Sequence, residues 1–205
     1  MPADRLQVFT IGHSTRTLDL FRRLLQAHGV RQLADVRTVA RSRRVPHFTS
    51  EALADAIRGF GVDYRHFPSL GGLRKPRPDS VNTAWRNESF RGYADHMETA
   101  GFAEGILALL EWARAAPTAV MCAEADWWRC HRSLLADALF VRAVAVLHIR
   151  SETQVEPHSL HEFARTCGTS VTYQGLLQLG APQAGDIKCP SVPIFADEGT
   201  SNLAQ

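Results

Sequence analysis

Lysine is almost missing from this chain. Of its 23 basic side chains only Lys75 and Lys188 are lysines, so positive charge arrives as arginine. A GC-rich coding bias produces such a count. So does selection for anion recognition, because the guanidinium fork matches phosphate and carboxylate geometry. Cysteine is scarce as well, with four residues at 122, 130, 167 and 189 and no Cys-x-x-Cys pair. That spacing argues against a zinc ribbon and against a disulfide framework. No run of about 18 apolar residues is present, which excludes a transmembrane helix by hydropathy. The first residues, Met1-Pro2-Ala3-Asp4-Arg5, lack the apolar core of a signal peptide, so the expected location is the cytoplasm, with no membrane partner.

What remains is the composition of an ordinary globular protein, 45% hydrophobic and 21% charged over 205 residues,. The net charge of +2 is unevenly spread. Residues 31–91 carry twelve basic and six acidic side chains, a local +6, which leaves −4 for the rest.

Segments at 6–11, 31–36, 62–67, 118–122 and 144–149 read as five strands,. Between them lie helical patterns. One, capped by Thr15 or Thr17, carries Leu18, Phe21, Leu24 and Leu25 and closes at Gly29,. A second, capped by Thr49 or Ser50, carries Leu53, Ala56, Ile57 and Phe60,. A long helix is expected over 92–115 and another over 130–142. Residues 68–91 form a Gly/Pro-rich connection of a length that is usually functional or disordered. After Arg150 a short helix at 158–167 and a short strand at 171–173 are expected. Strand–helix alternation implies an α/β fold: a three-layer, mostly parallel five-stranded sheet with helices on both faces, Rossmann-like, followed by a less regular C-terminal segment. Residues 1–180 read as one domain and 181–205 as a mobile tail.

In a parallel sheet the carboxyl ends of the strands share one edge, and right-handed crossovers leave little choice of arrangement. Gly12-His13-Ser14 follows strand one, Asp35 and Arg37 end strand two, and Cys122 and Glu124 end strand four. Cys130-His131-Arg132 open the next helix. All should face one crevice. A thiol at a helix N-terminus meets free amides and a positive dipole, so Cys130 is the candidate nucleophile, Cys122 the second thiol, and His13 or His131 the base, with Glu124 beside them. Asp35 and Arg37 read equally as a structural ion pair or as anion ligands. Cys122, Cys130, His131 and His13 also offer four nitrogen and sulfur ligands of the kind zinc accepts, but Cys-x7-Cys-His is no recognised metal spacing, so neither metal nor cofactor is assigned. Ser14, Arg91, Arg132 and Trp128 are candidate substrate contacts. Arg41, Arg43 and Arg44, with Arg74 and Arg77 from the long connection, form a candidate phosphate-contacting surface or a merely solvated face.

Taken in order, Gly12-His13-Ser14, Asp35-Val36-Arg37, Leu70-Gly71-Gly72, Phe90-Arg91-Gly92-Tyr93-Ala94-Asp95-His96-Met97 and Cys122-Ala123-Glu124…Cys130-His131-Arg132 resemble the bacterial and archaeal family called domain of unknown function 488. The resemblance covers roughly residues 8–150. It implies a compact α/β domain of soluble cytoplasmic proteins and assigns no reaction. The expected function is an enzyme with an anion-binding crevice at the carboxyl edge of the sheet, acting on a phosphate-bearing substrate, a nucleotide or a nucleic acid. A non-catalytic nucleic-acid-binding accessory protein and a metal-binding or thiol redox sensor are the other classes that fit.

Overall fold

The computed structural model describes residues 5–41 and 45–175. The tail expected at 181–205 lies outside them, as do Arg43 and Arg44. Five strands form at the five expected segments: β1 (Gln7–Gly12), β2 (Gln32–Asp35), β3 (Asp63–His66), β4 (Thr118–Cys122) and β5 (Ala145–Ile149). A sixth, β6 (Val155–Pro157), has no counterpart among the expected strands. It lies antiparallel on β5 and closes the edge of a sheet ordered β3-β2-β4-β1-β5-β6, in which the first five are parallel. The central strands β2 and β4 are buried at every position, as a parallel sheet covered on both faces requires,.

Helices α1 (Leu18–Ala27) and α2 (Ser50–Arg58) cover one face. The Thr17 hydroxyl caps α1 by accepting from the Leu20 amide at 3.2 Å, and Gly29 closes it at φ 65°,. Phe21, Leu24 and Leu25 of α1 and Leu53 and Ile57 of α2 pack with Ile11, Leu33 and Met121 of the sheet. The other face is covered by α3 (Glu88–Met97), α4 (Ala100–Ala113) and α5 (Arg132–Phe140). There Phe102, Ile106, Leu109 and Leu134 meet Val8, Ala34 and Val120. The long helix expected over 92–115 is therefore two, broken where Thr99 starts a new one by accepting from the Phe102 amide.

No helix forms at 158–167. That stretch runs irregularly into a hairpin, β7 (Arg165–Cys167) and β8 (Ser170–Thr172), turning at Gly168. What fixes it is Asp137 of α5, whose carboxylate binds His158 Nε2 at 2.8 Å, His161 Nδ1 at 2.6 Å and the Tyr173 hydroxyl at 2.7 Å. Burial alone would push the Asp137 carboxyl up; the bonds from His158, His161 and Tyr173 hold it below its ordinary value. Long-range polar pairing thus overrides the weak helical periodicity of the segment. Cys122 and Cys130 are free thiols. Among the described residues no helix is long and apolar enough to cross a membrane.

The chain leaves β2 toward β3 at one edge and leaves β4 toward β5 on the other side. Adjacent strands whose connections diverge open a crevice beyond their carboxyl ends. This switch point lies between Asp35 and Cys122.

Candidate functional site

Backbone bonds stitch the strand ends together. The His13 amide donates to the Cys122 carbonyl at 3.0 Å, Ser14 to Ala123 at 2.8 Å, and Val36 to Met121 at 3.0 Å. Gly12 is required here for space: a Cβ at this position would run into the Glu124 carbonyl and come within 2.8 Å of Ala125 Cα. Ser14 carries the chain away at φ 47°.

Beneath these ends sits a buried ion pair. Asp35 is fully buried and Arg37 is 5% exposed. Arg37 donates to Asp35 through Nε at 2.9 Å and through its NH2 group at 2.5 Å, while the Tyr64 hydroxyl adds a bond of 2.7 Å. The other guanidinium arm donates to the Phe48 carbonyl at 2.7 Å and reaches His13 Nε2 at 3.3 Å. Of the two readings open in the sequence, this geometry is that of a structural pair, with Arg37 presenting its flank to the crevice. His13 is oriented in the same way. Its Nδ1 faces the Ser14 carbonyl at 2.9 Å and its ring stacks on Phe48 with centroids 4.3 Å apart. Burial pushes its pKa down to about 4, with Arg37 adding to the effect, so the imidazole is neutral near pH 7. Both ring nitrogens are engaged, which makes His13 an orienting group rather than a free base.

The reactive cluster is a triangle. Cys122 ends β4, Cys130 follows a 3-10 turn at Trp127–Arg129, and His131 is the N-terminal flanking residue of α5. His131 Nδ1 lies 3.5 Å from Cys130 Sγ and 3.8 Å from Cys122 Sγ. Its Nε2 lies 3.1 Å from the Val36 carbonyl, an acceptor only, so the proton sits on Nε2 and Nδ1 faces the sulfurs with its lone pair,. In this triangle the bond from the Cys122 thiol and the Arg132 guanidinium hold the Cys130 thiol well below its ordinary value. The same bond and burial push Cys122 well above it. Arg132 is 1% exposed and, among the described residues, in no ion pair. One arm donates to the Glu124 and Ala125 carbonyls, and its Nε has no hydrogen-bond partner among the described residues. A buried guanidinium without a carboxylate is a strong local source of positive potential.

The triangle floors a crevice of about 460 Å³. One wall is the stretch after β2, with Arg37, Thr38, Val39 and Arg41; another is the β4–α5 loop, with Glu124 and Arg129. The long connection supplies the third wall with Gly72 and Leu73, and Asn87, Ser89 and Phe90 around the start of α3 complete it. Gly72 passes so close to His131 that a Cβ would stand 2.8 Å from Nδ1. Leu73 holds φ 55° and is 81% exposed, an unusual state for a bulky residue, and such strain clusters at functional sites,.

His13, Arg37, Arg41, Cys122, Glu124, Cys130 and His131 line one crevice. Asp35 and Arg132 lie behind it. Ser14 and Arg91 do not line it, and Arg91 Nε donates to the Trp85 carbonyl. Trp128 is exposed on the surface beneath the Arg150 guanidinium. Arg74 is bound to the Gly71 and Pro68 carbonyls, and Arg77 pairs with Glu98 at 2.7 Å; neither lines the crevice. Sequence reasoning misses Arg129, although it sits inside the most chemically dense stretch of the chain. Thr38, Asn87 and Ser89 carry no local signal.

A cluster of thiols and imidazole at the carboxyl edge of a parallel sheet, opening at a switch point, marks an α/β protein with a strand-end crevice, where such folds hold their ligands. Within that class the chain belongs to the family described as Domain of unknown function DUF488, whose model matches residues 17–139. The match takes in both the Asp35–Arg37 pair and the triangle and stops short of Gly12-His13-Ser14. Searches of curated proteins and of solved structures each found no match.

Proposed function

We propose that this protein is an enzyme acting on a phosphate-bearing substrate, a nucleotide or a nucleic acid, with Cys122, Cys130 and His131 as its reactive centre. The observation that carries the reading is the convergence of that triangle with cations at one crevice. Arg41 and Arg129 are exposed on its walls and Arg132 is buried behind its floor. A phosphate held by the two exposed arginines would rest against the sulfurs. Glu124 is the one carboxylate among the crevice residues and is placed to exchange protons with a bound molecule,. The reading rests on this crevice rather than on an extended basic surface, since Arg74 and Arg77 are engaged within the fold.

The test is calorimetric titration of nucleoside monophosphates into the parent protein and into Arg41→Ala, Arg129→Ala and the double variant. A charge-assisted hydrogen bond contributes about 1.5–3 kcal/mol, so each substitution should weaken binding at least about tenfold. With an oligonucleotide ligand, each arginine removed should also lower the log–log salt slope by about 0.7–0.9. No binding by the parent at low salt, or equal binding by the double variant, would refute the proposal.

A further inference from the structure

The three apices of the triangle have the spacing of metal ligands. With metal–sulfur bonds of about 2.3 Å and metal–nitrogen bonds of about 2.0–2.1 Å, tetrahedral geometry sets sulfur and nitrogen about 3.6 Å apart and two sulfurs about 3.8 Å apart. His131 Nδ1 stands 3.5 Å from one sulfur and 3.8 Å from the other, and all three ligand atoms lie within 4.8 Å of one another. We propose that Cys122 Sγ, Cys130 Sγ and His131 Nδ1 bind one zinc-class divalent cation, leaving a fourth position open to the crevice. The proposal deepens the reading of this crevice as a catalytic site and rests on it, since it names the cofactor that the reactive centre holds.

Three further observations support it. A ligating histidine commonly donates its other ring N–H to a carbonyl, which fixes tautomer and ring orientation, and His131 Nε2 stands 3.1 Å from the Val36 carbonyl in that arrangement,. The position beside Nδ1 is glycine, so no side chain crowds the ligating nitrogen; a Cβ on Gly72 would stand 2.8 Å from it. The charges point the same way. Thiolate ligands are deprotonated, so two of them neutralise a divalent ion. Arg132 then remains as a buried positive charge with no carboxylate partner among the described residues. An anionic fourth ligand, a hydroxide or a phosphate oxygen of the substrate, would balance it. Two thiolates and an imidazole are a soft set that favours zinc over magnesium or calcium, and three protein ligands with one open position are the pattern of catalytic rather than structural zinc.

The experiment uses the full chain. Protein treated with a chelator is loaded with zinc or cobalt(II), desalted, and its retained metal measured. The inference predicts one equivalent per chain and, with cobalt, a thiolate-to-metal charge-transfer band with the intense visible absorption of a tetrahedral site. Cys122→Ser and His131→Ala should each lower affinity at least tenfold, and Arg58→Ala, at an exposed position of α2, should leave it unchanged. Gly72→Ala keeps all three ligands but crowds Nδ1, so it should weaken retention with an unaltered circular dichroism spectrum. Because stoichiometry and band are read on the unaltered chain, a variant that fails to fold does not obscure the result. No retained metal and no band in the parent would overturn the proposal, as would equal retention by folded triangle variants. Phosphate binding at Arg41 and Arg129 without metal would refute this inference alone; metal without phosphate binding would refute the proposed function alone.

Discussion

Asp35→Ala is expected to destabilise the protein by about 3–5 kcal/mol, because it strands a buried charge. Asp35 has no exposed surface and receives the guanidinium, the backbone amide of Arg37 and the Tyr64 hydroxyl. With the carboxylate gone, Arg37 stays at 5% exposure without a counter-charge. For a chain of this size each kcal/mol lowers Tm by about 2–4 °C, so thermal unfolding should come about 6–20 °C earlier. The effect should reach the crevice too, since the same guanidinium fixes His13 and the Phe48 carbonyl. Replacing the pair together, Asp35→Leu with Arg37→Met, should recover part of the stability. A fall below about 1 kcal/mol for Asp35→Ala would mean that Arg37 finds water or another partner, and the description of the pair as the frame of the site would be wrong.

Gly12→Ala should cost about 3 kcal/mol or more, beyond the usual range for an added methyl, because the obstacles are backbone atoms. The new Cβ meets the carbonyl of Glu124 and the Cα of Ala125, and β1 is held to β4 by the register that pairs Gly12 with Cys122. Neither strand moves without shifting Cys122. Gly101→Ala is the internal control. Nothing lies within 4 Å of the added carbon, the site is helical, and about 0.4–1 kcal/mol of stabilisation is expected,. Denaturant midpoints of the two variants should therefore move in opposite directions. Two small shifts of the same sign would show that the strand ends are not as closely packed as described.

The centre of the parallel sheet was legible because β2 and β4 are buried on both faces. Thr118-Ala119-Val120-Met121-Cys122 is buried throughout, and such a strand reads as one continuous apolar run,. Strand β6 is the opposite case: three exposed residues ending in proline carry no periodicity, and only pairing with β5 makes them a strand. The break between α3 and α4 had a signal in Thr99, but a single threonine with no glycine or proline before it does not end a helical pattern. The missing helix at 158–167 had none, because its fate depends on Asp137, more than twenty residues away in sequence.

The site divides along the same line. Residues at or just beyond strand ends, His13, Cys122 and Glu124, could be placed on one edge from topology alone. The wall formed by Gly72 and Leu73 could not, since the path of an irregular connection is set by where it packs. Arg132 could be seen as an arginine but not as a buried one. The triangle was legible as a set of residue types but not as three side chains brought together. Cys-x7-Cys-His matches no metal spacing in sequence, and it is the 3-10 turn at 127–129 that brings Cys130 back over Cys122.

The central claim is that an anionic ligand binds in the crevice against the two thiols. The most direct measurement is the rate at which iodoacetamide modifies Cys122 and Cys130 in metal-free protein, followed by mass spectrometry with and without a nucleoside monophosphate. The account predicts that saturating nucleotide slows modification of both thiols at least tenfold, and that the Arg41→Ala, Arg129→Ala double variant loses this protection. Rates unchanged by nucleotide in the parent protein would contradict it.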